Sequence, residues 1–219
     1  MASHLDLEEQ EQLAELKHFW NNWGNLISGV LIVVLGAYAA WNGWQYWQRQ
    51  QALKAAVLYD EVERAIQAQD MGRLERSMSD IKDRFGSTTY AHQAALLAAR
   101  IQSDKGQTEA ARGWLAWVAA DAPEQALRDI ARLRLAALLW QGEKTDEALK
   151  TLQQDFSADM SPLAADLRGD VLAANTRQKE AIEAYRQALK GLDAESDYRK
   201  VIQAKLEALG VEVQPETRP

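Results

Sequence analysis

Side chains that bind metals, attack carbonyls or move protons are scarce in this sequence. It has no cysteine, so thiolate nucleophiles, disulfides and Cys-ligated zinc or iron–sulfur sites are excluded. The histidines are His4, His18 and His92, too widely spaced for a His pair at metal-ligand spacing. His92 lies in the run YAHQAALLAAR and reads as a surface or groove residue rather than a general base, because a base needs convergent partners and none can be named. Carboxylates are plentiful, with 32 Asp plus Glu against 25 Lys plus Arg. Most stand beside Lys or Arg on polar helical faces, the pattern of solvated pairs. No phosphate-cradling glycine loop occurs. No catalytic constellation, metal site or cofactor is expected. The net charge of −7, without a clustered basic surface, argues against a nucleic-acid partner.

The elements that position these residues begin with a stretch that avoids charge. From His18 to Gln48, 31 residues contain no Asp, Glu, Lys or Arg, and five of the eight Trp lie between Trp20 and Trp47. Asn25 to Trp44 read NLISGVLIVVLGAYAAWNGW, which as a helix spans about 30 Å, the thickness of a bilayer core. Phe19, Trp20 and Trp23 flank one end and Trp41, Trp44, Tyr46 and Trp47 the other, as in an aromatic belt. Lys17, Arg49 and Lys54 lie where they can snorkel. The acidic start and aromatic end do not fit a cleaved signal peptide. The expected layout is an acidic leader over 1–23, a transmembrane helix over 24–47 and a helical repeat domain over 48–219. Gly29, Gly36 and Gly43 recur every seven residues and share one face, either a contact surface for a second membrane helix or the glycine ordinary in such helices. Leu5, Leu13 and Leu16 among the leader carboxylates fit an amphipathic helix or a solvated tail. Flanking charge bears on which way the span is oriented. Asp6, Glu8, Glu9, Glu11 and Glu15 precede the span, whereas Arg49 and Lys54 follow it, and counted naively this puts the C-terminal side in the cytoplasm.

Beyond the span, apolar residues recur at helical spacing, with breaks near Gly72, Gly86, Gly106, Pro123, Gly142, Pro162, Asn175 and Gly191. Short helices joined by short turns follow. A repeat of 33 to 38 residues emerges, in which a small residue precedes an alanine by twelve: Ala98 and Ala110, Ala136 and Ala148, Gly169 and Ala181. Each alanine follows a Glu and is itself followed, four positions on, by Trp114, Leu152 or Tyr185; Ile101, Leu139 and Leu172 follow the small residues by three. Small residues allow two helices of a hairpin to cross closely while large ones fill the space beside them, a tetratricopeptide-like pattern. Residues 55–85 read as a degenerate first unit and Ser196 to Leu209 as a capping helix. The fold class is all-α: one N-terminal transmembrane helix, then a tetratricopeptide-like array of helical hairpins.

In such arrays the first helix of each pair lines the binding groove. The register places His92, Ala95, Ala99 and Gln102 there in one unit, Ile130, Leu133, Ala137 and Trp140 in the next, and Leu163, Asp166, Asp170 and Ala173 in the last. Trp140 reads either as an anchor for a partner or as packing against a neighbouring hairpin. Trp114 and Trp117 read as core.

A short leader, a single span ending in WNGWQYWQ, and a small repeat domain containing PLAADLRGDVLAA and KEAIEAYRQAL resemble the YfgM family of ancillary Sec-translocon subunits over nearly the whole chain. Its most specific parts are the block Ala164, Asp166, Leu167, Arg168 and Gly169, and the cluster Trp44, Tyr46 and Trp47. The resemblance implies a single-pass inner-membrane protein of a Gram-negative bacterium, with a cytoplasmic N-terminus and a periplasmic repeat domain. It implies the Sec translocon, a membrane-anchored peptidyl-prolyl isomerase, periplasmic chaperones or client proteins and the lipid bilayer as partners, and a non-enzymatic role in the traffic of exported proteins. The leader departs from the family in carrying little positive charge. The alternative that the residues themselves support is a cytoplasm-facing membrane scaffold or regulator that binds a soluble partner through its repeats.

Overall fold

The computed structural model describes residues 7–212, and the start of the acidic leader, Leu5 and Asp6 included, lies outside them. Every regular element among the described residues is helical: α1 (Leu7–Gln67), α2 (Met71–Phe85), α3 (Thr89–Asp104), α4 (Thr108–Asp121), α5 (Gln125–Gln141), α6 (Thr145–Leu152), α7 (Ser161–Ala174), α8 (Gln178–Gly191) and α9 (Tyr198–Ala208). The chain divides into two compact units, Met1–Gln51 and Ala52–Pro219.

The described part of the first unit is one helix, the N-terminal portion of α1. Its large apolar side chains point outward; Ile32 and Val33 are each 70% exposed, and Leu31, Val34 and Leu35 more than half. Water would penalise such a surface at about 25 cal/mol per Å2, so a helix of this kind is at rest only in lipid or against protein. Among the described residues it is the one helix long and apolar enough to cross a membrane.

In the second unit the chain folds back on itself at four identical turns. Each first helix ends in a three-residue turn whose central residue has positive φ: Gln69 (54°), Gly106 (75°), Glu143 (60°) and Thr176 (59°). The next residue's N–H reaches back to a carbonyl in the helix, Asp70 to Ala65, Gln107 to Gln102, Lys144 to Leu139 and Arg177 to Leu172, at 2.8–3.0 Å. This double-bonded Schellman closure satisfies carbonyls that the helix end would otherwise orphan. Gly106 alone of the four has no Cβ to strain in that conformation. The first hairpin is thus formed by residues 52–67 of α1 with α2, and α3/α4, α5/α6 and α7/α8 follow.

Aligning these turns corrects the register read from sequence. The small pair in the α3/α4 hairpin is Ala99 and Ala111, 1% and 0% exposed, while Ala110 is exposed. The matching large residues are Leu115, Leu152 and Tyr185, all buried, so Leu115 and not Trp114 fills that site. The position of Leu139 and Leu172 is held by Gln102, not Ile101. A Glu-Ala dipeptide recurs in all three units, but in the α3/α4 unit it sits one residue early relative to its turn, and matching the dipeptide carried the register with it. Trp114 and Trp117 are half-buried against the core.

Two apolar clusters result. One gathers Val62, Leu74, Met78, Ile81, Leu96 and Val118 with the alanines of α3. The other gathers Leu149, Leu152, Val171, Leu172, Tyr185, Ile202 and Leu206. They meet at α5, which gives Ala131 and Leu138 to the first and Ala136 to the second.

Candidate docking surface of the helical repeats

The register shift decides which side chains of α3 can meet a partner. His92, Ala95, Ala99 and Gln102 are all buried. The residues of α3 equivalent to Ile130, Leu133, Ala137 and Trp140 are Gln93, Leu96, Arg100 and Ser103, of which Gln93 and Arg100 are exposed. The groove reading of His92 and Gln102 is therefore corrected: both lie inside, one residue off the open face. Ile130, Leu133, Ala137 and Trp140 are half-buried, with Leu133 and Trp140 packed against the second core cluster and Ile130 against the first. Trp140 thus has the packing role that the sequence left open beside that of an anchor.

His92 is fully buried. Its Nδ1 lies 3.0 Å from the Thr88 carbonyl; a carbonyl only accepts, so this nitrogen carries the proton. Nε2 is buried without a hydrogen-bond partner. The ring stacks on Trp117 with centroids 4.5 Å apart, and Lys82 Nζ sits 5.0 Å from the Trp117 ring centre and 5.3 Å from that of Trp114. Burial holds the imidazole pKa below its ordinary value, against the opposing pull of the Thr88 carbonyl, Asp121 and Glu124.

Asp166 and Asp170 of α7 also point inward, to a network that sequence reasoning missed. Lys205 Nζ of α9 donates to Asp166 Oδ1 and Oδ2 at 2.8 and 2.9 Å and reaches Asp170 at 2.7 Å. Tyr198 Oη donates to Asp166 Oδ2 at 2.7 Å and Tyr185 Oη to Asp170 Oδ1 at 2.8 Å. Burial opposes the ammonium of Lys205, but its bonds to the two carboxylates outweigh this and hold its pKa above the ordinary value. Burial and the Asp166 bond push the Tyr198 phenol up to about 12. Asp166 is 4% exposed, so what a partner meets on this part of the face is α9. The helix earns that position by its own turn: Gly210 has φ of 79° and Val211 N–H bonds the Leu206 carbonyl, so α9 closes as the first helices of the hairpins do.

Asp129 was also missed. It is fully buried at the position of His92 one repeat on, accepting from Gln125 Nε2 at 2.7 Å and from Ser157 N–H at 2.9 Å. It ties the α6–α7 connection to α5 and is a structural carboxylate. Among the described residues, no group of three or more His, Asp or Glu is arranged to hold a metal.

Gly29, Gly36 and Gly43 lie on the outside of α1, and a Cβ added at any of them would meet no atom within 4 Å. The Trp44 and Trp47 rings sit 5.2 Å apart on the same helix.

A hairpin array with identical left-handed turns, carrying an apolar N-terminal helix, defines the class as a tetratricopeptide-like repeat protein. The family model for the tetratricopeptide repeat-like domain matches residues 17–211. A protein of Neisseria gonorrhoeae named ancillary SecYEG translocon subunit is 33% identical over 95% of this chain and 100% of its own length. Proteins of the same name from Haemophilus influenzae and Escherichia coli are 28% identical over 83% of this chain and 89% of their own, and 30% identical over 56% and 59%. The chain belongs to this family of tetratricopeptide-like proteins, the YfgM family.

Proposed function

We propose that this protein is an ancillary subunit of the SecYEG translocon, held in the inner membrane by the apolar part of α1 and acting without catalysis. The observation that carries the reading is the full-length match to a relative of that name. In this reading residues 1–23 are cytoplasmic, 24–47 cross the bilayer, and the repeats from residue 48 onward stand in the periplasm as a docking platform. Their partners are exported clients, periplasmic chaperones and a membrane-anchored peptidyl-prolyl isomerase. Anchoring confines the repeats to the membrane plane beside the channel, so the effective concentration of a weak docking partner is raised without any tight contact. The chemistry-bearing side chains fit an adaptor: His92, Asp129, Asp166 and Lys205 are committed to packing and internal bonds. The groove candidates Ile130, Leu133, Trp140 and Asp170 pack or bond inward but each keeps part of its surface open, and that open edge remains part of the proposed face, as does the glycine face of α1 for the membrane partner. A tagged chain purified from membranes in mild detergent should bring the channel subunits with it, and recovery of none would refute the reading.

The second reading, a cytoplasm-facing scaffold, is favoured by one observation, the basic pair Arg49 and Lys54 that follows the span. A C-terminal alkaline phosphatase fusion separates the two, since it is active only in the periplasm.

A further inference from the structure

Once the turns fix the register, the seams between successive first helices can be compared position by position. At the α7–α9 seam, Asp170 stands four residues before the end of α7 and meets Lys205, three before the end of α9. At the α3–α5 seam the same two positions are Arg100 and Leu138. A cation stands where the later seam has an anion, and the facing position offers an apolar side chain instead of a countercharge. One turn before Leu138, α5 adds a second cation, Arg134. Both arginines are exposed, and among the described residues neither has a hydrogen-bond or ion-pair partner. Arg73, Arg112, Arg177 and Arg186 of the same array are all paired with glutamates.

Arg100 and Arg134 border a recess of about 330 Å3 whose apolar lining is Ala99, Leu115, Ala137 and Leu138. Asp104 also lines it and is ion-paired to neither arginine. Guanidinium groups are weakly hydrated and present planar donor forks that match a carboxylate. Set beside an apolar floor, they suit a ligand carrying both a carboxylate and an adjoining hydrocarbon side chain. We propose that this recess binds an acidic polypeptide segment, its carboxylate held by Arg100 and Arg134 and a neighbouring apolar side chain seated on Leu115 and Leu138. A bare phosphate or lipid headgroup would use the charges and leave the floor empty. The use of the recess in the cell rests on the docking reading above, whereas its chemistry is tested on the purified chain alone, so either can fail without the other.

The test uses the full chain in nanodiscs of zwitterionic lipid, with a fluorescent decapeptide alternating Leu with Asp and Glu and its counterpart carrying Asn and Gln. Anisotropy should show the acidic peptide binding about tenfold or more tightly than the amide peptide, with the difference shrinking as salt rises. Arg100→Gln and Arg134→Gln should each weaken it about tenfold, while Lys190→Gln, an exposed cation of α8, leaves it unchanged. Both arginines are exposed, so the variants keep the parent melting temperature. The proposal is overturned if the two peptides bind equally or neither binds, if the arginine variants bind as the parent does, or if anionic vesicles bind the domain and displace the peptide from it.

Discussion

His92 ties the stability of its hairpin to pH through one buried side chain. Its imidazole is buried with an unpartnered Nε2 and its pKa is lowered by burial. An unfolded chain therefore takes up a proton near pH 6.5 that the folded chain resists. The contribution of His92 is complete above that pH and lost as pH falls below it. Melting at about pH 7.5 and pH 5.5 should show a drop for the parent that is smaller in His92→Phe, which keeps the stack on Trp117; an equal drop in both would place the titrating group elsewhere. Thr176 gives a second residue-scale prediction, because a β-branched residue at φ of 59° is strained by about 1–2 kcal/mol. Thr176→Gly should raise stability by about 1 kcal/mol after the entropy cost of glycine in the unfolded chain, measured by denaturant unfolding. The turns also show what was and was not legible in the sequence. Gly106 marks its turn directly, whereas Gln69, Glu143 and Thr176 do the same work without a glycine signal. The breaks expected near Gly142 and Asn175 fall there, each residue being the C-cap of its first helix, and the one expected near Gly72 falls at residues 68–70, with Gly72 itself in the first turn of α2.

At the scale of elements, the helices and their pairing were legible because a period of 3.6 and a twelve-residue spacing of small residues survive any surface variation. A one-residue register was not, because in the α3/α4 unit the Glu-Ala dipeptide sits one residue ahead of the true phase and the exposed Ala110 stands directly before the buried Ala111. The roles of Asp166 and Asp170 were hidden for a different reason: their partners, Tyr198 and Lys205, lie more than 25 residues away on a helix read only as a cap. That contact predicts how α9 is held. Lys205→Met removes the one cation between two carboxylates and leaves Asp166 buried and charged, so unfolding stability should fall by about 3 kcal/mol, with less loss when Asp166→Asn is added. If Lys205→Met melts as the parent does, α9 is held by Ile202 and Leu206 alone.

For the whole molecule, the proposal is that α1 both anchors the chain and recognises a membrane partner, because lipid gives apolar side chains no reason to prefer protein and association then depends on close packing. Gly36→Leu should leave membrane levels normal, since Leu inserts at least as well as Gly, but abolish co-purification of the partner. Val33→Leu, about 60° around the helix from Gly36, should change neither. Equal recovery for both variants and the parent would reduce the stripe to ordinary membrane glycine and move recognition to the repeats. The most direct measurement places a photo-crosslinking amino acid at Gly29, Gly36 or Gly43 in turn and identifies what each captures in the native membrane. The account predicts a crosslink to a channel subunit of the translocon from this face and a weaker one from Val33, whereas capture of no translocon component from any of the three positions contradicts it.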